Sequence, residues 1–239
     1  MSGSQYIALS GLRARVDELD RLATDIANVG TAGYKGERDT TAAAERATFD
    51  RMLQSAIDTT HGGRRLDMAN GALAATGRPL DVALEGTGFF QVDTPNGPRY
   101  TRNGHFTIDA ERRLITEDGL PVAGTDGPIT IGDGDIRVEV DGSIWAGQTK
   151  AGKLSVVTFD DPSALLRDTG SRLRSDKQEA KPVDTPVIRS GSLEQSNVTV
   201  AERLAQLTTV SRGFEALQKS ISMLMNDVDG RAIDHLGRR

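Results

Sequence analysis

The chain of 239 residues has no cysteine, which excludes a disulfide framework and any site built on a thiolate. Aromatic residues make up only 4% of it, so the core has to be built mainly from aliphatic side chains. No apolar run approaches the roughly 18 residues that a membrane-spanning helix needs. The first residues lack the basic and apolar regions of a secretory signal peptide. A net charge of −5 without a basic block argues against a nucleic-acid-binding surface.

Apolar residues at both ends of the chain repeat with alternating steps of three and four, the pattern of a coiled-coil seam. The N-terminal repeat comprises Leu9, Leu12, Val16, Leu19, Ala23 and Ile26. The C-terminal repeat comprises Leu207, Val210, Phe214, Leu217, Ile221, Leu224 and Val228. Two such seams can pair if the intervening chain folds back, so the sequence predicts paired, coiled-coil-like terminal helices. A single packed helix pair within a globular domain would produce the same pattern.

Capping residues predict where these helices begin and end. The first should begin near Ser2 and end at 28–30, where Gly30 can adopt the left-handed conformation. The second should begin at Asn197 or Thr199, both of which are good N-caps, and run for about thirty residues.

Between the helices the apolar residues alternate with a period of two, which indicates short β-strands. The predicted strands are 80–84, 89–93, 105–108, 114–116, 129–131, 136–140 and 154–159. Asn103-Gly104 and Asp141-Gly142 each lie between two extended segments and predict type I′ hairpin turns. The sequence therefore predicts an α+β fold with paired N- and C-terminal helices and a central antiparallel β-rich domain.

The same patterns predict the domain boundaries. They are an N-terminal helix in residues 1–35, a connector in 36–77, the β-rich domain in 78–190 and a C-terminal helix in 191–239. The connector is inferred from the glycine and polar residues of 61–77. Residues 39–57 have helical spacing, but an extended conformation stays open for them.

Two segments resemble ligand-binding loops. Gly147 to Lys153 has the spacing of a phosphate-binding loop, but Leu154 replaces the magnesium-binding Ser or Thr and a β-run follows. We therefore predict a hairpin turn there. Gly132 to Asp135 resembles the start of a calcium loop but lacks its later carboxylate, so we predict a solvated turn.

Neither the histidines nor the remaining motifs indicate a reaction centre. His61, His105 and His235 lie far apart in the sequence and none has a second ligand at metal spacing. Asn197-Val198-Thr199 matches a glycosylation acceptor, but helix capping explains it more simply. We predict no cofactor and no metal, although the many carboxylates leave an acid–base pair possible.

Residues 23–35, 76–124 and 191–224 are three segments that, in this order along the chain, together resemble the flagellar rod, hook and hook-associated proteins. Residues 23–35, ATDIANVGTAGYK, resemble the N-terminal signature of that family, which usually reads A-N-N-I-A-N followed by T-x-G-F-K. Thr24, Asp25 and Tyr34 depart from it. Residues 76–124 and 191–224 are similar to the central block and the C-terminal helix of the rod proteins.

Within the family, two further segments are closer to the proximal than to the distal rod proteins. They are residues 6–15, YIALSGLRAR, and residues 157–174, VTFDDPSALLRDTGSRLR. A distal rod protein remains the alternative within the family.

The resemblance implies a structural protein and not an enzyme. Rod proteins pack their terminal helices along the inside of a tubular shaft, with the β domain outside. They are exported through the flagellar type III apparatus without a cleaved signal peptide and lie in the periplasmic part of the basal body. The expected partners are therefore other flagellar rod proteins, copies of the same chain and the export apparatus, without nucleic acid or membrane insertion.

We expect the seam residues other than Ala23 to form the assembly interface. They are Leu9, Leu12, Val16, Leu19, Ile26, Leu207, Val210, Phe214, Leu217, Ile221, Leu224 and Val228. Two unrelated functions stay open: a surface protein with a coiled stalk and a β head, and a carboxylate-based hydrolase on a β scaffold.

Overall fold

The computed structural model describes residues 3–39 and 64–236, with side-chain burial for 11–38, 65–220 and 222–223. Residues 39–57, whose conformation the sequence leaves open, lie almost wholly outside the described residues. The described chain contains two α-helices and many short strands. It divides into a helical unit, which includes both helices, and a β unit formed by residues 28–38 and 64–198.

The two helices begin and end close to the predicted positions. Helix α1 spans Gly3–Ala27 and helix α2 spans Val200–Leu236. Helix α1 ends at the turn predicted at 28–30, but Gly30 does not have a positive φ, so the predicted left-handed glycine is wrong. Helix α2 begins directly after Thr199, one of the two predicted N-caps, and its 37 residues exceed the predicted length of about thirty. Neither described helix is long and apolar enough to cross a membrane.

The predicted fold class is wrong, because a coiled-coil-like pair of terminal helices is not what the structure shows. The described chain is strand-rich, with a central antiparallel sheet. On α1, Val16 of the predicted seam is 42% exposed, whereas Leu22 and Asp25, which lie off the seam, are 1% exposed. A carboxylate oxygen of Asp25 lies 3.0 Å from the guanidinium of Arg203 on α2. The helices thus meet partly through charged side chains, which a repeat of apolar residues cannot reveal.

The strands are short and follow one another closely along the chain. They are β1 (Glu37–Asp39), β2 (Arg64–Leu66), β3 (Leu73–Ala75), β4 (Val82–Glu85), β5 (Phe89–Thr94), β6 (Gly97–Thr101), β7 (Phe106–Ile108), β8 (Leu114–Thr116), β9 (Ala123–Gly124), β10 (Gly127–Pro128), β11 (Ile136–Val138), β12 (Ser143–Ala146), β13 (Thr149–Lys153), β14 (Val156–Thr158), β15 (Leu166–Arg167), β16 (Arg172–Arg174), β17 (Lys181–Pro182), β18 (Val187–Ser190) and β19 (Ser192–Glu194).

The largest sheet has six strands in the order β15-β16-β6-β5-β14-β17, and each neighbouring pair in it is antiparallel. A three-stranded sheet, β11-β12-β13, and several two-stranded pairs complete the β unit. Two of these pairs, β4–β18 and β3–β19, join the start of the β unit to its end. The β unit is therefore closed by residues that lie about a hundred positions apart in the chain.

Strand β5 divides the core into two clusters, because successive side chains of a strand point to opposite faces. Phe90 belongs to a cluster that is mainly aliphatic, as the low aromatic content predicts. Phe89 belongs to a second cluster with Tyr100 and Phe159. In that cluster the rings of Tyr100 and Phe159 meet edge to face with centroids 4.8 Å apart.

One of the two predicted hairpins is confirmed. Strands β11 and β12 pair in antiparallel register on either side of Asp141-Gly142. Gly142 has φ of +87°, whereas Asp141 does not have a positive φ. The connection is a four-residue turn, in which the Gly142 N–H donates to the Glu139 carbonyl at 3.0 Å, and not the predicted type I′ turn.

The hairpin predicted at Asn103-Gly104 is wrong. Strand β6, which precedes it, pairs with β5 and β16, and strand β7, which follows it, pairs with β8. Gly104 is needed there for close packing, because a Cβ atom on it would lie 1.8 Å from the Val82 carbonyl oxygen. The β5–β6 hairpin turns instead at Pro95-Asn96, ahead of Gly97, a turn that the sequence analysis missed.

Both loop-like motifs are ordinary turns, as predicted. The segment from Gly147 to Lys153 forms the turn and second strand of the β12–β13 hairpin. Residues 132–135 form an exposed turn. Within the described part of the chain, no group of three or more His, Cys, Asp or Glu residues could hold a metal ion.

Candidate functional site

Three charged side chains, Lys35, Arg102 and Glu194, meet inside the β unit; we call them the buried charge cluster. Their side chains are 2%, 5% and 1% exposed. Lys35 Nζ lies 2.6 Å from Glu194 Oε1, and Arg102 donates a hydrogen bond to Glu194 Oε2 at 3.3 Å. One carboxylate thus joins two cations that lie 67 residues apart in the sequence.

Backbone groups make most of the other hydrogen bonds of the cluster, although the buried Nε of Arg102 has no partner within the described part of the chain. Lys35 donates to the Ala69 carbonyl at 2.8 Å, and Arg102 donates to the carbonyls of Leu84 and Gly86. The Gly71 N–H donates to Glu194 Oε1 at 3.0 Å. Charges buried this deeply require both partners and hydrogen bonds, because the cost of removing them from water is otherwise several kcal/mol.

Burial also determines how the two cations titrate. Burial lowers the pKa of Lys35 below its usual value, and the hydrogen bond and charge of Glu194 oppose that change. Burial lowers the pKa of Arg102 in the same way, again against the attraction of Glu194. Glu194 is therefore the group that opposes the effect of burial on the pKa values of both cations.

Residues 33–36 lie against the segment that precedes α2. The Gly33 N–H donates to the Glu194 carbonyl at 2.7 Å, and the Gly36 N–H donates to Asn197 Oδ1 at 2.9 Å. Asn197 Nδ2 in turn donates to the carbonyls of Asp67 and Ala69. Asn197, considered above as a helix cap, thus connects two distant segments of the β unit.

Gly33 allows this approach because it has no side chain. Its φ is +65°, and a Cβ atom on it would lie 2.2 Å from the Arg102 carbonyl carbon. Tyr34, which is 1% exposed, has the guanidinium of Arg167 stacked 4.2 Å above its ring. Arg167 also donates to the Lys35 carbonyl. A tyrosine is therefore accommodated where the family signature usually has phenylalanine.

The cluster brings together the three segments that carry the family resemblance. Lys35 closes the N-terminal signature, Arg102 lies in the central block and Glu194 lies in the C-terminal segment. Sequence reasoning missed these residues, because a charged residue in a polar segment gives no sign that it is buried. The sequence did show that three motifs of one family occur in this chain, which predicts that they share a fold. It did not show which atoms of the three motifs are in contact.

The predicted interface residues all lie on the two helices. Leu12, Leu19, Ile26, Leu207, Phe214 and Leu217 are half-buried, Val16 is exposed and Val210 is buried. The side chains of Leu9, Ile221, Leu224 and Val228 fall outside the described residues. The structure contains a single chain, so an assembly role for these residues stays a prediction.

The histidines are not brought together by the described part of the structure. His105 is half-exposed, and its Nδ1 lies 2.8 Å from Asp81 Oδ1. His61 and the side chain of His235 lie outside the described residues.

The hydrolase alternative requires an acid with a raised pKa. Among the described carboxyl groups with a resolved shift, the pKa values are lowered instead. The backbone N–H of Ser143 and the hydroxyl of Ser163, for example, stabilise the ionised Asp141 and Asp161. Such groups are poor general acids near neutral pH.

The fold and the meeting of the three segments in the buried charge cluster point to one class of protein. Two family models identify that class. The model described as "Flagellar hook protein FlgE/F/G D1 domain" matches residues 83–146. The model described as "Flagellar basal body rod FlgEFG protein C-terminal" matches residues 189–226. The first covers much of the β unit, and the second covers Glu194 and most of α2.

Relatives that match over nearly their whole length show which members of this class the chain resembles. The chain is 33% identical over 250 residues to the flagellar basal-body rod protein FlgF of Rhizobium meliloti (strain 1021), covering 99% of each chain. It is 32% identical over 248 residues to the FlgF protein of Caulobacter vibrioides, covering 100% of this chain and 99% of that one. It is 29% identical to the flagellar basal-body rod protein FlgG of Bacillus subtilis, covering 93% and 95% of the two chains.

The chain therefore belongs to the flagellar basal-body rod protein family, in which it is most like FlgF. It is a structural component of the rod. Membership in a structural family, and not any feature missing from the structure, is what supports the prediction that it is not an enzyme.

Proposed function

We propose that the chain joins the rod as a proximal-type subunit through exposed apolar residues of its two helices. The observation that carries this proposal is the exposure of Val16, Leu204 and Met223, which keep 42%, 48% and 58% of their surface. Large apolar side chains that stay exposed on a helix can be buried against another protein. In the helices it can be covered by other subunits.

The partners are other flagellar rod proteins and further copies of the chain. Contacts between unlike surfaces that do not close on themselves produce open-ended helical assemblies, which is the geometry that a shaft requires. The relatives are named as basal-body rod proteins, and that name supports the basal body as the location of this chain. Within it, the chain occupies the periplasmic rod, after export through the flagellar type III apparatus without a cleaved signal peptide.

Complementation of motility tests the role of the helices. In a strain that lacks its own FlgF protein, the wild-type chain should restore swimming, whereas Val16→Glu and Leu204→Glu should abolish it at normal protein levels. Val140→Glu is the matched control, because Val140 is 64% exposed but lies in the β unit. Normal swimming of both helix variants, or an equal defect in the control, would refute the proposal.

Two further measurements test the proximal position in the rod and the export without cleavage. Rescue of a strain that lacks FlgG, without rescue of one that lacks FlgF, would assign the chain to the distal rod. The protein recovered from purified basal bodies should have an intact mass that includes the N-terminal residues. Loss of an N-terminal peptide would contradict export without cleavage.

A further inference from the structure

The sequence contains three Asn-Gly dipeptides, at Asn70, Asn96 and Asn103. In such a dipeptide the glycine backbone nitrogen can attack the asparagine side-chain amide, because glycine presents no Cβ atom to obstruct the approach. We propose that Asn96-Gly97 is a site of spontaneous deamidation in the folded protein, and that tertiary contacts protect the other two dipeptides.

The Asn70 and Asn103 dipeptides are held by the fold. The Gly71 N–H, which would have to attack at Asn70, donates to the buried carboxylate of Glu194 at 3.0 Å. At Asn103, the side-chain Oδ1 accepts the backbone N–H of His105 at 3.0 Å. A Cβ atom on either Gly71 or Gly104 would lie 1.8 Å from a carbonyl oxygen of a neighbouring segment. Reaction at either place requires these contacts to break.

Asn96 lies in a more open environment. It is exposed in the turn between β5 and β6, and its side-chain amide has no hydrogen bond within the described part of the chain. The atom nearest to a Cβ position on Gly97 is 4.0 Å away. The attacking conformation requires that the Thr94–Gly97 pair beside the turn opens, together with the hydrogen bond that the Thr94 hydroxyl donates to the Gly97 carbonyl at 2.6 Å. Exposed turns open locally at a lower free-energy cost than core strands.

Arg99 adds an electrostatic contribution at the same turn. Its NH1 group donates to the Asn96 carbonyl oxygen at 3.2 Å. That carbonyl belongs to the peptide group whose nitrogen attacks. When the nitrogen loses its proton, negative charge spreads onto this oxygen, and a guanidinium donor stabilises it there. The turn thus contains both the nucleophile and a group that promotes its ionisation.

The reaction needs only water as a co-reactant. The Gly97 nitrogen gives its proton to solvent and forms a bond to Cγ of Asn96. The tetrahedral intermediate expels ammonia as the bond from Cγ to the amide nitrogen breaks, which leaves a cyclic succinimide. Water then opens either carbonyl of the ring, giving aspartate or isoaspartate. Isoaspartate lengthens the backbone by one carbon in a hairpin that carries the core residues Phe90 and Tyr100.

Peptide mapping of the full-length protein after incubation in mildly alkaline buffer tests the proposal. The mass change from amide to acid should accumulate at Asn96 at least about tenfold faster than at Asn70 or Asn103, since those two must break close contacts with distant segments, whereas Asn96 needs only its own exposed turn to open. In urea the three rates should converge, because the sequences are then equally accessible. Equal rates in the folded protein would overturn the proposal.

Substitution of Arg99 tests the electrostatic part. Arg99→Gln should slow the reaction at Asn96 by about three- to tenfold and leave the rates at Asn70 and Asn103 unchanged. This effect is smaller than the loss of a buried oxyanion-hole donor produces in an enzyme. Arg99→Lys, which retains the charge, should give an intermediate rate and guards against a folding defect in the first variant. An unchanged rate at Asn96 in Arg99→Gln would overturn the role given to Arg99.

Discussion

Apolar side chains are buried to different extents in the two units of this chain. In the β unit, Phe90 and Ile131 have no exposed surface, whereas Val16, Leu204 and Met223 of the helices keep 42%, 48% and 58% of theirs. The β unit also contains the buried charge cluster, in which Glu194 pairs with both Lys35 and Arg102. Most of the buried apolar residues thus lie in the β unit, although Val140 there is 64% exposed, and the helices present apolar side chains that other molecules can cover. The following predictions test that difference, beginning with the largest expected effect.

Glu194→Gln should have the largest effect, because it removes the negative charge of the buried charge cluster and leaves Lys35 and Arg102 buried without it. Breaking a buried ion pair from one side costs about 3–5 kcal/mol. We expect the β unit to unfold at a much lower urea concentration. The fluorescence of Trp145, the single tryptophan, measures this change because it lies in β12.

Glu85→Gln provides the control for this variant. Glu85 pairs with Arg189 on the surface, where both side chains are well exposed. Its loss should change the free energy of unfolding by no more than about 0.5 kcal/mol. If the two variants were equally stable, the β unit would not depend on the buried charge cluster.

Gly33→Ala should have the next largest effect. The new methyl group would meet the Arg102 backbone at 2.2 Å, and φ of +65° is unfavourable for alanine. Strain and overpacking together predict a loss of about 2–4 kcal/mol in the same urea experiment. Gly30→Ala is the matched control, because a Cβ atom there meets nothing within 4 Å. It should change stability by less than about 1 kcal/mol, and a similar loss in both variants would be inconsistent with close packing at Gly33.

A pair of variants on α2 tests the helical side of the comparison. Val210 is 6% exposed and Leu204 is 48% exposed. Val210→Ala should destabilise the helices by about 1–2 kcal/mol, whereas Leu204→Ala should have little effect on the isolated protein. Thermal unfolding followed by helical circular dichroism measures both. A larger loss for Leu204→Ala would mean that its surface is already used within the chain.

The smallest effect concerns pH. Hydrogen bonds donated by Ser143, the backbone N–H first, lower the pKa of Asp141 below its ordinary value of 3.8. The ionised form is therefore the one that stabilises the fold, so this contribution is complete above pH 3.8 and is lost as pH falls through the lowered pKa. Asp141→Asn keeps an acceptor oxygen but cannot titrate. Its unfolding free energy should fall less than that of the wild type between about pH 5 and about pH 2. Parallel pH curves would exclude this contribution.

Local signals in the sequence predicted those parts of the fold that depend on neighbouring residues. The end of α1 lies at the turn predicted at 28–30, the start of α2 follows the predicted N-cap Thr199, and the β11–β12 hairpin follows from Asp141-Gly142. The same reasoning failed at Asn103-Gly104, because this dipeptide packs against Val82 and the flanking strands find partners elsewhere. Turn propensity indicates which backbone conformations a dipeptide can adopt, whereas the pairing of the flanking strands depends on the whole sheet.

The seam prediction failed for a related reason. Apolar spacing selected Val16 and Ala23, but Leu22 and Asp25 are the residues that are buried in the part of α1, residues 11–27, for which burial is described. A buried carboxylate needs a cation or hydrogen-bond donors close to it, and the cation here, Arg203, lies 178 residues further along the chain. A repeat within one helix contains no information about such a partner.

The sequence by itself determined the family, the two terminal helices, the short-strand character of the middle and the lack of any thiol chemistry, because these depend on composition and on residues close together in the chain. Only the tertiary structure decided that Lys35, Arg102 and Glu194 would share one buried site, and which stripe of α1 would be covered. The physical reason is that burial makes a charge dependent on its partner, and the partner is brought close only when distant segments pack together.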